Sequence, residues 1–271
     1  MASDKRIQLL ALDIDGTLLN SQKEITLATE SVMQLLHEKS NVHVVLASAR
    51  PPRTTLPFYR RLHLNAPMVN YNGALIYDPQ TTNVIMHRPL PLKTCQGITE
   101  LARRLFPDVL VSGEILDHWY TDRLSDEYWT ETSLVFGPDN IAPLEQWMTQ
   151  PVTKLMFLGP PQHLREIAAA IGREFLHQVS MVQTEDYVLQ IMHATVSKAT
   201  ALKVVAGELG ITREHVMAIG DNSNDVGMLT WAGRGVAMAN SSKDALEAAD
   251  HITDSNDEDG VAKAIMKYLL S

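Results

Sequence analysis

A chain of 271 residues, 45% hydrophobic and 20% charged, holds enough apolar material for one large domain or two smaller ones and shows no disordered or fibrous bias. A net charge of −9 excludes a broad nucleic-acid-binding surface, which needs clustered Lys and Arg, so an anionic ligand would depend on a local cation. The single cysteine, Cys95, excludes an intrachain disulfide and fits a reducing compartment, and no apolar run approaches the roughly 18 residues of a membrane span; a soluble, cytoplasmic protein with no membrane or nucleic-acid partner is expected.

The first predicted element is a strand over Ile7–Leu12, an apolar run without helical spacing that leads straight into Asp13-Ile14-Asp15-Gly16-Thr17. A buried strand that ends in two carboxylates and a turn-forming glycine delivers them to the crevice beyond a parallel sheet, where ligands bind. Thr26–Lys39 reads as an amphipathic helix with Thr26 as its N-cap, and Val42–Ala47 as a second strand completing a right-handed βαβ unit. That strand ends at Ser48-Ala49-Arg50. The Ser48 hydroxyl can hydrogen-bond a phosphoryl oxygen, and Arg50 can pair with another phosphate oxygen or with an acid of the protein. A helix over Arg53–Leu62 and a strand over Met68–Tyr71 follow, then Asn72-Gly73, which reads equally as a plain hairpin turn or as a substrate-facing amide.

From about Asn83 the pattern changes to an inserted α+β unit: a helix carrying Cys95, Ile98, Leu101 and Leu105, a strand at Val109–Ser112, a strand at Lys154–Leu158, a helix over Gln162–Glu174 and two more strands before His193. Trp119 and Trp129 lie in its proline-punctuated middle and can pack in a core or stack on a ligand. Alternation of strand and helix resumes at Ser197, an N-cap candidate followed by Lys198, a cation in a first helical turn where the dipole disfavours it. His215–Ile219 reads as a strand ending in Gly220-Asp221-Asn222-Ser223-Asn224-Asp225, a set of hard oxygen donors of the kind Mg²⁺ takes.

These segments resemble, in order and spacing, the four motifs of the haloacid dehalogenase superfamily in its Cof-like branch: Asp-x-Asp-Gly-Thr, a strand-end Ser or Thr, a helix-opening Lys, and Gly-Asp-Asn-x-Asn-Asp. Two positions depart from the usual pattern, with Ser-Ala-Arg for Thr-Gly-Arg and Ala199 where Gly commonly follows the lysine. The resemblance implies an α/β fold, a Rossmann-like parallel-sheet core from 1–82 and 191–271 with an inserted α+β cap over 83–190 that sets specificity. It further implies a Mg²⁺-dependent phosphatase of small phosphorylated metabolites such as sugar phosphates, pyridoxal phosphate or flavin mononucleotide.

By the same resemblance Asp13 is the nucleophile and Asp15 the acid and base, whose carboxyl should then titrate above its usual range. Asp13, Asp221 and the main-chain carbonyl of Asp15 would ligate the metal, with Asp225 positioning its waters, while Ser48, Lys198 and Asn224 hold phosphoryl oxygens. A phosphomutase and a non-catalytic phosphate-binding module remain alternatives, and the sequence leaves monomer and homodimer equally open.

Overall fold

A computed structural model describes residues 6–128 and 131–271. These form two compact units, Met1–Ile85 with Ser197–Ser271, and Met86–Val196. The first unit begins with β1 (Leu9–Leu12), α1 (Leu27–Lys39), β2 (His43–Leu46), α2 (Pro52–Arg61), β3 (Met68–Asn70) and β4 (Leu75–Asp78), and β5 (Asn83–His87) leads into the second. The second unit holds α3 (Leu92–Leu105), β6 (Leu110–Ile115), β7 (His118–Thr121), β8 (Asn140–Ile141), α4 (Leu144–Trp147), β9 (Lys154–Leu158), α5 (Pro161–Glu174), β10 (Val179–Glu185) and β11 (Val188–His193). The chain returns to the first through α6 (Lys198–Glu208), β12 (Val216–Gly220), α7 (Val226–Trp231), β13 (Arg234–Ala237), α8 (Lys243–Ala248), β14 (His251–Ile252) and α9 (Gly260–Leu269).

The main sheet of the first unit is parallel, in the order β14-β13-β12-β1-β2. All four residues of β1 are buried, which is why the strand reads as an unbroken apolar run with no alternation. Leu10, Leu12, Met217 and Ile219 join Met33 and Leu36 of α1 and Ile265 of α9 in one core. From β1 the chain first moves outward to β2, and it later re-enters on the other side of β1 with β12. The strand order therefore reverses between β1 and β12, and a crevice opens beyond their carboxyl ends. Asp13 and Asp221 are the first residues beyond those two strands.

α1 starts where Thr26 accepts a hydrogen bond from the Thr29 amide (3.2 Å), as the sequence predicts. β3 and β4 pair antiparallel, Asn70 opposite Leu75, but the connection is four residues long rather than the two-residue Asn-Gly turn. The strand expected to reach Tyr71 stops at Asn70 because Tyr71 and Asn72 adopt left-handed backbone angles.

The second unit is a six-stranded sheet in the order β10-β11-β9-β6-β7-β8, antiparallel except for β7 with β8. Ile98 and Leu101 of α3 and Leu164 and Ile167 of α5 pack with Val111, Leu155, Phe157 and Ile191 in a single core. Cys95 lies inside it, where burial pushes its thiol up to about 12. Trp119 is on β7, a strand missing from the sequence reading. It is buried, and its indole N–H donates to Ser112 Oγ (2.6 Å), which is a core tryptophan's arrangement. Trp129 lies outside the described residues. Among the described residues no helix is long and apolar enough to cross a membrane.

Candidate active site

The site is built from loops that leave the parallel sheet at the reversal of strand order. Asp13 follows β1 directly, its N–H donating to Ile219 O (3.0 Å), so the inter-strand ladder fixes its backbone. Gly16 turns the chain away at φ +80°, a backbone angle that favours glycine, and a Cβ there would stand 2.4 Å from Asp221 Oδ2 and push that carboxylate out of place. Thr17 then donates to Asp221 Oδ1 (2.8 Å). The sequence reading gave Thr17 no role, although its fixed place in the Asp-Gly-Thr pattern marked it.

Lys198 opens α6, whose Ser197 cap and Thr200 form a reciprocal capping box. Its side chain runs inward, 1% exposed, and its ammonium donates to Asp13 Oδ1 and to Asp225 Oδ1, the latter at 2.6 Å. Burial alone would lower the ammonium's pKa, but the two carboxylates outweigh it and hold the group above its usual range. Asp225 is fully buried. Its other oxygen accepts from the Asp221 and Asn222 amides (3.1 and 3.0 Å), so this residue ties the loop after β12 to Lys198.

Asp13, Asp221 and Asp225 each present a carboxylate oxygen within 4.8 Å of the others. Burial, with repulsion from Asp225, raises the Asp13 carboxyl well above its usual range despite Lys198. Burial likewise raises Asp221. Three converging carboxylates, of which Asp13 and Asp221 resist ionisation, offer oxygen donors throughout and fit a hard divalent cation, whose charge would relieve that resistance.

Asp15 is placed differently. Arg50 grips its carboxylate with two hydrogen bonds of 2.6 Å, and Lys23 adds a third of 3.0 Å. Burial would raise this carboxyl, but Arg50 and then Lys23 pull it below its usual range. The expected raised pKa is therefore corrected: in this arrangement Asp15 is an ionised carboxylate between two cations. Of the two partners foreseen for Arg50, the structure provides the acid on the protein. Lys23 was missed, and nothing local announces it. It sits at φ +61° in a turn held by Asn20 Oδ1, which accepts from the Gln22 and Glu24 amides.

Ser48 is buried, its hydroxyl accepting from the Arg50 amide (3.1 Å) and its carbonyl from the Asn72 amide (2.9 Å). Asn224 donates through Nδ2 to Asn72 Oδ1 (2.9 Å). The structure thus joins Asp13, Lys198, Asp221 and Asp225 in one cluster, Asp15 with Arg50 in a second, and Asn72 with Asn224 in a third pair.

Comparison with known proteins defines the class. The model of the haloacid dehalogenase-like hydrolases matches residues 10–265, and the chain belongs to that family as a Cof-like phosphatase. It is 32% identical over 276 residues to the putative phosphatase YxeH of Bacillus subtilis (strain 168), covering 97% of this chain and 99% of that one. It is 29% identical over 272 residues to the 5-amino-6-(5-phospho-D-ribitylamino)uracil phosphatase YitU of the same organism, covering 96% and 97%. Among solved structures, a haloacid dehalogenase-like hydrolase from Bacteroides thetaiotaomicron matches with a TM-score of 0.88 at 29% identity, covering 97% of this chain and 99% of that one.

Proposed function

We propose that this phosphatase is Mg²⁺-dependent, acts on small phosphorylated metabolites in a reducing cytoplasm, and works through a phosphoryl group carried on Asp13. The observation that carries this reading is the buried Lys198 ammonium bridging Asp13 and Asp225 while Asp221 converges on the same point. A carboxylate approaching a phosphate dianion meets repulsion of roughly 5 kcal/mol per charge pair at an effective dielectric near 20. Lys198 offsets part of it. Bound Mg²⁺ would supply the remaining positive charge, held by Asp13, Asp221 and the main-chain carbonyl of Asp15, with Asp225 fixing the loop and its waters.

In the first half-reaction a carboxylate oxygen of Asp13 bonds to phosphorus as the ester P–O bond breaks, and Asp15 gives a proton to the departing oxygen. In the second, Asp15 takes a proton from water, whose oxygen attacks phosphorus and breaks the bond to Asp13, releasing inorganic phosphate. Carrying that proton requires the Asp15 carboxyl to leave Arg50 and Lys23, the partners that keep it ionised at rest. Ser48, Lys198 and Asn224 hold the phosphoryl oxygens as charge shifts in a loose transition state. The unit of Met1–Ile85 with Ser197–Ser271 serves as the catalytic core, and the insert Met86–Val196, close to the 83–190 expected from sequence, serves as a cap that selects among sugar phosphates, pyridoxal phosphate, flavin mononucleotide and phosphoribityl compounds such as the one YitU is named for.

Release of free phosphate from p-nitrophenyl phosphate and a panel of phosphorylated metabolites tests this directly. Wild type should turn over with Mg²⁺ and stop in EDTA, and Asp13→Asn should lose at least about 10³-fold while keeping a native circular dichroism spectrum. Undiminished turnover by pure Asp13→Asn would remove the nucleophile assignment, and transfer of the phosphoryl group to a second sugar without net release would make the enzyme a mutase.

A further inference from the structure

The turn between β3 and β4 costs more than a chain reversal needs. Three successive residues take left-handed backbone angles, Tyr71 (φ 51°), Asn72 (φ 54°) and Gly73 (φ 100°), and two of the three are not glycine. Non-glycine residues stay in that region only when the surroundings over-determine them, and such strain gathers at functional sites. Here the surroundings are the loops of the candidate site. The Tyr71 amide donates to Arg50 O (3.2 Å) and the Asn72 amide to Ser48 O (2.9 Å). Asn70 Nδ2 donates to Arg50 O and Thr55 Oγ1 (both 3.1 Å). Gly73 stands so near the start of α6 that a Cβ on it would fall 2.3 Å from Ser197 O, one residue before Lys198. The product of these constraints is the placement of one group: Asn72, 6% exposed, whose Oδ1 accepts from Nδ2 of the otherwise exposed Asn224 (2.9 Å).

We propose that Asn72 is a positioning residue that fixes the Asn224 carboxamide in the orientation in which it meets the substrate's phosphoryl group, and that the left-handed 71–73 turn serves to deliver it. The inference rests on the phosphatase reading of the site, in which Asn224 is a phosphoryl ligand. An exposed asparagine on a loop samples several rotamers. Holding one of its N–H groups on Asn72 removes that freedom before substrate arrives and leaves the other N–H to donate to a phosphoryl oxygen.

The proposal separates stability from activity in a way a structural turn residue would not. Asn72→Gly accepts the left-handed angles without strain, so its melting temperature should equal or exceed that of wild type, while kcat/KM for p-nitrophenyl phosphate falls about tenfold, the size of one neutral hydrogen bond missing at the transition state. In an Asn224→Ala background the same substitution should make no further difference to kcat/KM, because Asn72 acts through Asn224. Equal losses in both backgrounds, or an unchanged kcat/KM in Asn72→Gly, would overturn the proposal. Calorimetric titration with inorganic phosphate repeats the four-variant cycle without turnover. Wild type that binds phosphate with the predicted coupling yet hydrolyses nothing would sink the phosphatase reading and support Asn72, whereas wild type that neither binds nor hydrolyses would sink both.

Discussion

Asp13, Asp221 and Asp225 face a single ammonium, Lys198, so without a metal this cluster holds more negative charge than its one cation balances. The Asp13 carboxyl shows the cost: burial, then repulsion from Asp225, keep its pKa above the ordinary 3.8. A carboxyl whose folded pKa exceeds its unfolded value binds its proton more tightly in the folded state, so its contribution to stability falls as pH rises through and beyond that ordinary value. At neutral pH this group therefore costs the metal-free fold stability. Metal-free Asp13→Asn should melt above wild type by about 2–4 °C, equivalent to ~1 kcal/mol in a protein of this size, and added Mg²⁺ should raise the melting temperature of wild type more than that of the variant. A lower melting point in the variant would mean that the ion pair with Lys198 outweighs the repulsion.

Elements transmit those residue-level demands. Gly73 at φ +100° lets β3–β4 close against α6, so Gly73→Ala should cost about 1–3 kcal/mol in urea denaturation and loosen the Ser197–Lys198 helix start. A variant as stable as wild type would show that α6 yields at little expense. The same elements mark how far the sequence could be read. β1 and β12 were legible because a strand buried on both faces leaves an unbroken apolar run, and the polar loops after them stood out by contrast. Arg50 left two partners open because a guanidinium suits phosphate and carboxylate alike, and only the fold shows Asp15 within reach. The left-handed backbone of Tyr71 had no local signature, since the distant Arg50 carbonyl holds it, whereas Asn72 carried the Asn-Gly turn signal and Lys23 sits in a local turn held by Asn20. β7 was hidden because its four residues, His118–Thr121, are too short a stretch for alternation to stand out in a passage crowded with aromatics and prolines.

Over the whole molecule, acid tolerance turns on one half-buried imidazole, His87, as well as on carboxylates. Burial lowers the pKa of His87 below 6.5, and its Nε2 lies 2.8 Å from Thr153 Oγ1, which also accepts from the Leu116 amide. A neutral ring can take the hydroxyl proton; a charged one cannot. Because the folded pKa is the lower one, His87 contributes its full share of stability above the unfolded value and loses it as pH falls toward the folded value. Wild type should therefore lose melting temperature more steeply than His87→Gln between about pH 7 and about pH 5, and parallel slopes would relieve His87 of any part in acid unfolding.

The central strand β1 has one neighbour, β2, within the first fifty residues and the other, β12, roughly 200 residues downstream. While a ribosome is still making the insert, the greasy Leu9–Leu12 segment carries an open flank that nothing yet synthesised in its own sheet can cover. Nascent chains stalled before Val216 should consequently be clients of holding chaperones and prone to clump, and release of that dependence should coincide with emergence of the loop bearing Asp221. The placement that gathers the acids in one crevice thus also makes the birth of the protein its most hazardous moment.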